Sequence, residues 1–360
     1  MGNVSNVLNT TTDIFYVEVI GDATGRVAQI DELPLIENQL FLSFHFRDIN
    51  RAAVNQYDIR GMNGSYGDNF TILDVSKADE TRLSLDYSLS ERRYNFYFSK
   101  SSGDYRLDRI LDSAGNEITV FPLPYESESN SEIIGFSLDF TDDYLDPRNG
   151  LRFGITFSDK PAKGDINVAD YYILNYNFLF YKQTHESDTL VFNYFQSDAH
   201  VRRQGNTDPN YHRAQLGLDC LGDPLCLQTE QELVNSLVNE ATYGSASSLG
   251  GLERLRSYPQ NRYSGGHSAF FGAEYRWNIT DEATPFNYLF WKDVRTGKQI
   301  AFFAEAGTVS ETSSELWDEQ RYTYGVGFRL LAASGSVYRA DLATGDEGTE
   351  IAVFFYYPWR

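Results

Sequence analysis

The sequence predicts an all-β protein and, within that class, a transmembrane antiparallel β-barrel of about 16 strands. Apolar and polar residues alternate with period two along most of the chain, as in Leu83-Ser84-Leu85-Asp86-Tyr87, which is the pattern of a strand with two unlike faces. Tyr, Phe and Trp together make up 15% of the 360 residues, beside 28 Gly. This composition is typical of strands that carry aromatic girdles.

The polar faces favour a membrane barrel over a water-soluble sandwich. In a sandwich the apolar faces must pack against each other, whereas in a barrel they face lipid and the polar faces line a lumen. The predicted strands are about 9–13 residues long, which suits a tilted crossing of the bilayer. Charged residues recur on the predicted inward face too often for a dry core. They are Asp86, Asp139, Arg152, Glu274, Arg276, Glu305, Arg329, Arg339 and Asp341.

Sixteen strands are expected, an even number, as a closed antiparallel barrel in bacteria requires. Closure leaves no unpaired backbone edge in the hydrocarbon. Residues 1–10 are expected to form an N-terminal tail and residues 11–360 the barrel. The expected strands lie near 11–21, 38–48, 51–60, 67–75, 80–89, 92–100, 103–111, 132–141, 151–159, 170–182, 188–202, 267–279, 298–309, 321–333, 336–343 and 349–357.

A long insertion, residues 203–266, separates the eleventh and twelfth predicted strands. It lacks the strand pattern, and Leu227–Glu240 has helical spacing. A loop of this length in a compact fold is normally functional. Cys220 and Cys226 flank a Gly-Asp-Pro turn and form either a disulfide clasp or two free thiols. They lack partners for a zinc site, which needs about four ligands.

The composition excludes several classes of function. The net charge is −21 and no basic run occurs, so the chain is not expected to bind nucleic acid. No segment approaches the roughly 20 apolar residues of a membrane-spanning helix. The histidines are scattered and no catalytic signature appears, so neither enzyme activity nor a metal or cofactor is expected. No secretory signal is found at the start of the sequence. If the protein is exported, we therefore expect this sequence to be the mature form.

Five sequence motifs, by their order and spacing, indicate a resemblance to a known family. Gly250–Pro259 reads Gly-Gly-Leu-Glu-Arg-Leu-Arg-Ser-Tyr-Pro, and the next predicted strand contains Glu274-Tyr275-Arg276. Phe303–Gly307 follows on the strand after that. The remaining two are an Asp-rich Pro-x-x-Gly hairpin at 142–150 and the aromatic end at 354–359. Together they resemble the outer-membrane assembly and secretion barrels of the BamA, TamA and FhaC type, the bacterial surface antigen barrels.

The resemblance rests on motifs over roughly residues 130–360 and on strand rhythm alone over residues 1–130. Ser257 stands where the family has Gly, and Glu305 where it has Asp. No periplasmic POTRA domains are expected before the barrel, because the first predicted strand begins near residue 11.

The resemblance implies a function in the bacterial outer membrane. The family's barrels insert proteins or translocate polypeptides, so a polypeptide client and outer-membrane lipid or lipopolysaccharide are the implied partners. The alternative is a passive pore, or the membrane anchor of a longer protein that bears an enzyme or adhesin. An upstream POTRA or enzyme domain would then lie outside this chain.

The resemblance also implies that the long loop folds into the lumen and that its Arg meets an acid of the wall. The period-two pattern points Glu274, Arg276, Glu305 and Gly307 inward. Two nearby carboxylates are costly to ionise together, and a guanidinium between them resolves that cost. We therefore predict that Arg256 is the lumenal anchor, paired with Glu305 and secondarily with Glu274.

The surroundings of the anchor follow from the same reasoning. Phe303 or Tyr258 is expected to stack on the guanidinium, and Gly325 and Gly327 are expected to leave room for the loop tip. Arg254 is the competing anchor. A solvated Arg256 in an outer loop is the remaining alternative, because Ser257 reaches a positive φ, which Gly allows freely, only at a cost.

Overall fold

The computed structural model describes most of the chain. The described residues are 2–4, 13–19, 24–37, 39–62, 70–117, 125–144, 146–185, 187–218, 220–222, 224–280, 285–288, 291–332, 337–355 and 357–359. Within them the chain is an antiparallel β-sheet protein with two helices in one long connection. The predicted all-β class is confirmed.

The strands are hydrogen-bonded in chain order, except that β11 pairs with β13, while β12 lies off this path and also pairs with β13. The strands are β1 (Gly2–Val4), β2 (Asp13–Val19), β3 (Thr24–Ile36), β4 (Leu40–Gln56), β5 (Thr71–Leu89), β6 (Tyr94–Leu111), β7 (Tyr125–Asp139), β8 (Gly150–Lys160), β9 (Asp170–Gln183), β10 (Thr189–Arg203), β11 (His267–Thr280), β12 (Pro285–Tyr288), β13 (Trp291–Ser310), β14 (Arg321–Ala332), β15 (Val337–Gly345) and β16 (Gly348–Phe355). The helices are α1 (Pro209–Leu216) and α2 (Pro224–Tyr243).

The chain divides into two compact units. The first comprises Met1–Ser137, Thr156–Leu174 and Ala199–Ala246, and the second comprises Leu138–Ile155, Asn175–Asp198 and Ser247–Arg360. Strands β7 to β10 contribute residues to both. The first unit contains the ladder from β1 to β6 and both helices. The second contains the ladder from β10 through β11, β13, β14 and β15 to β16.

The predicted strand boundaries are wrong in the first unit. Predicted strands 38–48 and 51–60 form the single strand β4. Likewise, 67–75 and 80–89 form β5, and 92–100 and 103–111 form β6. The β4–β5 ladder continues from Leu40↔Tyr87 to Gln56↔Thr71 through charged stretches whose pattern suggests turns. β1, β3 and β12 were not predicted. The N-terminal half of the chain is therefore built from fewer and longer hairpins than the pattern suggested.

The two ends of the chain differ from the prediction. Residues 2–4 of the predicted tail form β1, while residues 5–12 lie outside the described part. The last strand ends at Phe355, not at residue 357. Tyr357 and Trp359 are buried instead of continuing the ladder.

The two faces of the second unit's sheet differ as the period-two pattern predicts. Phe271, Trp277 and Phe302 expose between 43% and 50% of their surface, whereas Glu274 and Glu305 expose at most 2%. The large apolar side chains thus lie open, and charged ones are covered, the reverse of a water-soluble sandwich. We call these two sides the exposed face and the buried face.

The long connection between β10 and β11 carries the helices. α1 begins with Asp208 capping the N–H of Asn210, followed by Pro209, and ends at Gly217 in the left-handed conformation. α2 contains the predicted helical segment Leu227–Glu240. Neither helix, nor any other described one, is both long and apolar enough to cross a bilayer.

Candidate functional site

Three buried carboxylates mark the candidate site, which lies on the buried face of the second unit. Glu274 is on β11, Glu305 on β13 and Asp341 on β15, with exposures of 0%, 2% and 3%. The register pairs Gly272 with Glu305 and Glu274 with Phe303, so Glu274 and Glu305 are two residues apart across one strand interface. Side-chain alternation places both on the same face.

The end of the long loop, residues 247–266, folds as a compact turn over these acids. Leu249 and Tyr263 form an isolated antiparallel bridge. Inside it, Tyr258 accepts a hydrogen bond from the N–H of Gly251 and donates its own N–H to Leu255. Gly250 has a φ of +107°, and a Cβ there would lie 2.3 Å from the carbonyl oxygen of Pro259. A side chain at residue 250 would therefore break the turn.

This turn presents Arg256 to the acids. Its Nε donates to Glu305 at 2.7 Å, and its backbone N–H donates to the other Glu305 oxygen at 2.9 Å. Its Nη1 donates to Asp341 at 2.7 Å, and Nη2 lies 3.5 Å from Glu274. The guanidinium carbon lies 3.4 Å from the Phe303 ring centroid. Arg256 thus meets both predicted acids and a third, Asp341, and stacks on Phe303, not on Tyr258.

The electrostatics keep this arginine ionised. Burial alone would lower the pKa of the Arg256 guanidinium, but the carboxylates of Glu305, Glu274 and Asp341 raise it above its ordinary value. The side chain is 2% exposed, and solvent therefore screens these contacts little. The arrangement is a largely dry cluster of ion pairs around Arg256.

The residues after Arg256 extend the contact to β14. The Ser257 hydroxyl lies 2.7 Å from the Thr323 hydroxyl, and the Tyr258 hydroxyl donates to the Tyr322 carbonyl at 3.2 Å. Ser257 is not in the left-handed region; Leu255 is, at a φ of 55°. The expected strain at Ser257 is therefore absent.

Glycines of the strands make room for the loop. A Cβ on Gly307 would lie 2.8 Å from Leu255 of the loop, and one on Gly345 would lie 2.3 Å from the Ser257 hydroxyl. At Gly325 and Gly327 a Cβ would collide with Phe303 and Asp341. Gly325 and Gly327 therefore accommodate the two strand side chains that contact Arg256.

Further arginines surround Glu274. Arg276 Nε donates to it at 2.8 Å, and both terminal nitrogens of Arg329 also donate to it. Arg339 donates to the loop carbonyl of Leu252 at 2.7 Å. Period-two alternation had placed all three arginines on the inward face, but only their strand register shows that they join the Arg256 cluster.

The chain end closes the cluster from another side. The Tyr357 hydroxyl donates to Asp146 at 2.6 Å, and the Arg276 guanidinium lies 3.8 Å from the Tyr357 ring. Trp359 donates its indole N–H to the Glu253 carbonyl at 2.8 Å. A Cβ on Gly272 would strike the Trp359 ring. Sequence reasoning missed both aromatics, because their alternation matched a continuing strand.

Two other candidates predicted from the sequence occupy separate places. Arg254, the competing anchor, stacks on Phe195 at 3.7 Å and lies 3.7 Å from Glu253. Burial lowers the pKa of Arg254. Cys220 and Cys226 form a disulfide with a Cα–Cα distance of 5.4 Å. The described residues include no cluster of three or more metal-ligating side chains.

The Asp-rich hairpin between β7 and β8 is held by side-chain caps. One Asp142 oxygen accepts the backbone N–H groups of Arg148 and Asn149 at 2.9 and 3.0 Å. Partial burial opposes ionisation, yet these hydrogen bonds hold the pKa of Asp142 below its usual value. Leu145 of this motif lies outside the described residues.

The sequence matches no protein-family model and no curated protein sequence. Solved structures are similar in fold. BamA from Haemophilus ducreyi, lacking POTRA domains 1–3, superposes with a TM-score of 0.50 and 12% identity over 98% of this chain and 65% of that one. CdiB from Escherichia coli has a TM-score of 0.50 and 12% identity over 98% of this chain and 57% of that one.

The chain therefore spans less than two thirds of each of these proteins. At 12% identity the likeness concerns the fold. The resemblance to barrels of the BamA type that the motifs predicted is confirmed at that level.

Proposed function

We propose that this chain is the membrane-embedded barrel of a bacterial outer-membrane protein that inserts or translocates polypeptides. In this proposal the sheet closes into a barrel of about 16 strands, and residues 203–266 form a long extracellular loop directed into its lumen. The observation that carries the proposal is the Arg256 cluster, in which a loop arginine binds acids of β13 and β15. The likeness in fold to BamA and CdiB supports it.

The exposed face supports a lipid environment. Phe180, Phe271, Phe328 and Ile351 each expose between 39% and 76% of their surface. Water would solvate such a surface poorly, whereas lipid tails or lipopolysaccharide acyl chains would cover it favourably. Outer-membrane lipid is therefore the first partner in the proposal.

The loop needs several contacts to remain inside. Ordering its backbone costs roughly 1–2 kcal/mol per residue, and one charge-assisted hydrogen bond returns only about 1.5–3 kcal/mol. The Arg256 bonds are supplemented by Arg262, which binds Glu347 at 2.7 Å, and by the Trp359 bond to Glu253. In our proposal the loop is a plug that is held by separate contacts and that gates the lumen.

A polypeptide client is the second partner. The proposal gives the barrel no enzyme activity, no cofactor and no nucleic-acid partner. A POTRA domain that receives the client, or an enzyme domain that the barrel anchors, would be supplied by sequence upstream of this chain.

Reconstitution tests the proposed activity. The full chain and its Arg256→Ala variant are placed in liposomes, and an unfolded eight-stranded outer-membrane protein is added as the client. Faster acquisition of heat-resistant mobility by the client than in empty liposomes would support insertion, and the variant should lose most of that gain.

Planar-bilayer currents test the alternative. The unmodified chain should conduct little, and Arg256→Ala should open larger and more frequent currents because the plug is released. A large, constant current from the unmodified chain, together with no effect on client folding, would contradict the proposal and favour a passive pore.

A further inference from the structure

We infer that a small monovalent anion of chloride's size and charge binds on the buried face of the second unit, between Arg329 and Arg339. This site lies beside the Arg256 contacts and is independent of any polypeptide client. Charge balance, strand register and unused hydrogen-bond donors each point to it.

Among the described residues, the cluster contains more buried positive charges than buried negative ones. Four guanidiniums are at least 96% buried, those of Arg256, Arg276, Arg329 and Arg339. They share three buried carboxylates, Glu274, Glu305 and Asp341. Nearby charges do not correct this, because Arg152 pairs with Asp139, Arg262 with Glu347 and Arg148 with Asp146. One positive charge is left in excess.

Protons cannot remove this excess. A surplus of buried carboxylates could be neutralised by protonation, but a guanidinium does not lose its proton in a protein. A buried charge without a counter-charge is strongly destabilising. An added anion is therefore the remaining way to balance the cluster. Ordered water could satisfy hydrogen bonds but would leave the charge.

The register places two of these arginines face to face. Arg329 on β14 is the direct cross-strand partner of Arg339 on β15. Like charges directly opposite each other on one face destabilise a sheet. An anion between the two side chains would convert that repulsion into two attractive contacts.

The same two arginines carry unused donors. The Nε atoms of Arg329 and Arg339 are buried and have no hydrogen-bond partner among the described residues. The Nη1 of Arg339 makes no hydrogen bond among them either, and its ion pair with Asp341 is long, at 3.6 Å. Their other nitrogens are occupied by Glu274 and by the Leu252 carbonyl. Arg276 also has unpaired terminal nitrogens, but it lies on β11 and has no arginine as its cross-strand partner. The free donors of Arg329 and Arg339 therefore define the site.

The surroundings select the size and charge of the anion. Arg329 is 0% exposed and Arg339 4%, so the anion would be enclosed by protein and a small one would displace the fewest side chains. Asp341 lies 3.6 Å from Arg339, and Glu274 binds Arg329 directly. A divalent anion would be repelled by both carboxylates, which leaves a halide as the fitting ligand.

Halide-dependent stability tests the inference. The full chain in detergent micelles is unfolded with urea in sodium chloride and in sodium gluconate at equal ionic strength. At ten times the dissociation constant, chloride should raise the folded-to-unfolded ratio roughly tenfold. Arg339→Gln should abolish this dependence, whereas the control Arg262→Gln, outside the cluster, should keep it.

A bromide soak of crystals of the unmodified chain gives a second test that needs no variant. An anomalous peak beside both Nε atoms is the expected result. Equal stability in chloride and gluconate would overturn the inference. So would a site that holds only an ordered water in bromide, or the same chloride dependence in Arg339→Gln.

Discussion

Replacing Arg256 with Met should destabilise the protein mainly because it leaves the buried carboxylate of Glu305 without a charged partner. Glu274 would retain Arg276 and Arg329, and Asp341 would retain Arg339 at 3.6 Å. Among the described side-chain donors Glu305 is bound by Arg256 alone, through Nε at 2.7 Å, and the variant leaves it only the backbone N–H of residue 256. Breaking a buried pair in this way costs about 3–5 kcal/mol.

A second substitution separates this cause from a simple loss of packing. Glu305→Gln removes the stranded charge but keeps an oxygen that can accept the N–H of residue 256. The double variant, Arg256→Met with Glu305→Gln, should therefore be more stable than Arg256→Met alone, by about 1–3 kcal/mol. Such non-additivity is what contacting groups show in a double-mutant cycle.

Urea unfolding in detergent micelles, followed by tryptophan fluorescence, measures these differences. Arg254→Met is the matched control, since Arg254 belongs to the same turn but stacks on Phe195, and it should cost clearly less than Arg256→Met. The reasoning is refuted if Arg256→Met changes the free energy of unfolding by no more than the control, or if the double variant is less stable than the single one.

Three further predictions concern other parts of the chain. Trp359→Phe keeps the ring but loses the bond to Glu253 and should cost about 0.5–1.5 kcal/mol by urea unfolding; an unchanged midpoint would contradict it. Cys226→Ser removes the Cys220–Cys226 disulfide, and in the chain-entropy model the closure of this short loop contributes roughly 2 kcal/mol. Protease should therefore cut between the helices faster in the variant, while the unfolding midpoint of the sheet stays unchanged. Asp142 has a lowered pKa when folded, so its contribution is present at neutral pH and is lost as pH falls through that lowered value. The difference in midpoint between the unmodified chain and Asp142→Asn should therefore shrink as the pH falls below the ordinary pKa of aspartate, and a difference that grows instead would refute the assignment.

The faces of the sheet could be predicted because side-chain direction depends only on parity. Alternation placed Glu274 and Glu305 on one side and Phe271 and Phe302 on the other, and the exposures agree. The position of the loop between two strands also followed from the pattern, since residues 203–266 lack it. These inferences do not require the residue register between neighbouring strands.

Strand ends were harder to predict because apolar alternation is a signal of lipid contact or burial, not of hydrogen bonding. β5 continues through Lys77 and Asp79 although neither is apolar, and ion pairs such as Lys77 with Asp104 at 3.0 Å replace apolar packing there. β3 was missed because Pro34 and shifts in register interrupt its pattern. Bulges and polar ladders look like turns in a sequence.

The partners of Arg256 could be predicted only in part. Glu305 and Glu274 lie on consecutive long strands, so their proximity followed from parity and order. Asp341 was predicted to face inward, but its place beside Arg256 depends on the exact register of β14 and β15. The inward turn of Trp359 depends on the cavity that Gly272 leaves, and no local pattern encodes that.

The docking of the loop on β14 is the central claim, and a designed disulfide tests it most directly. The hydroxyls of Ser257 and Thr323 are 2.7 Å apart, so Ser257→Cys with Thr323→Cys should cross-link under mild oxidation of the full chain in detergent micelles. Ser257→Cys with Tyr324→Cys is the control, because Tyr324 is 56% exposed on the opposite face, and it should not cross-link. Cross-linking of the first pair alone is the predicted result. Failure of that pair to cross-link, with both cysteines open to thiol reagents, would show that the loop does not lie on the strands.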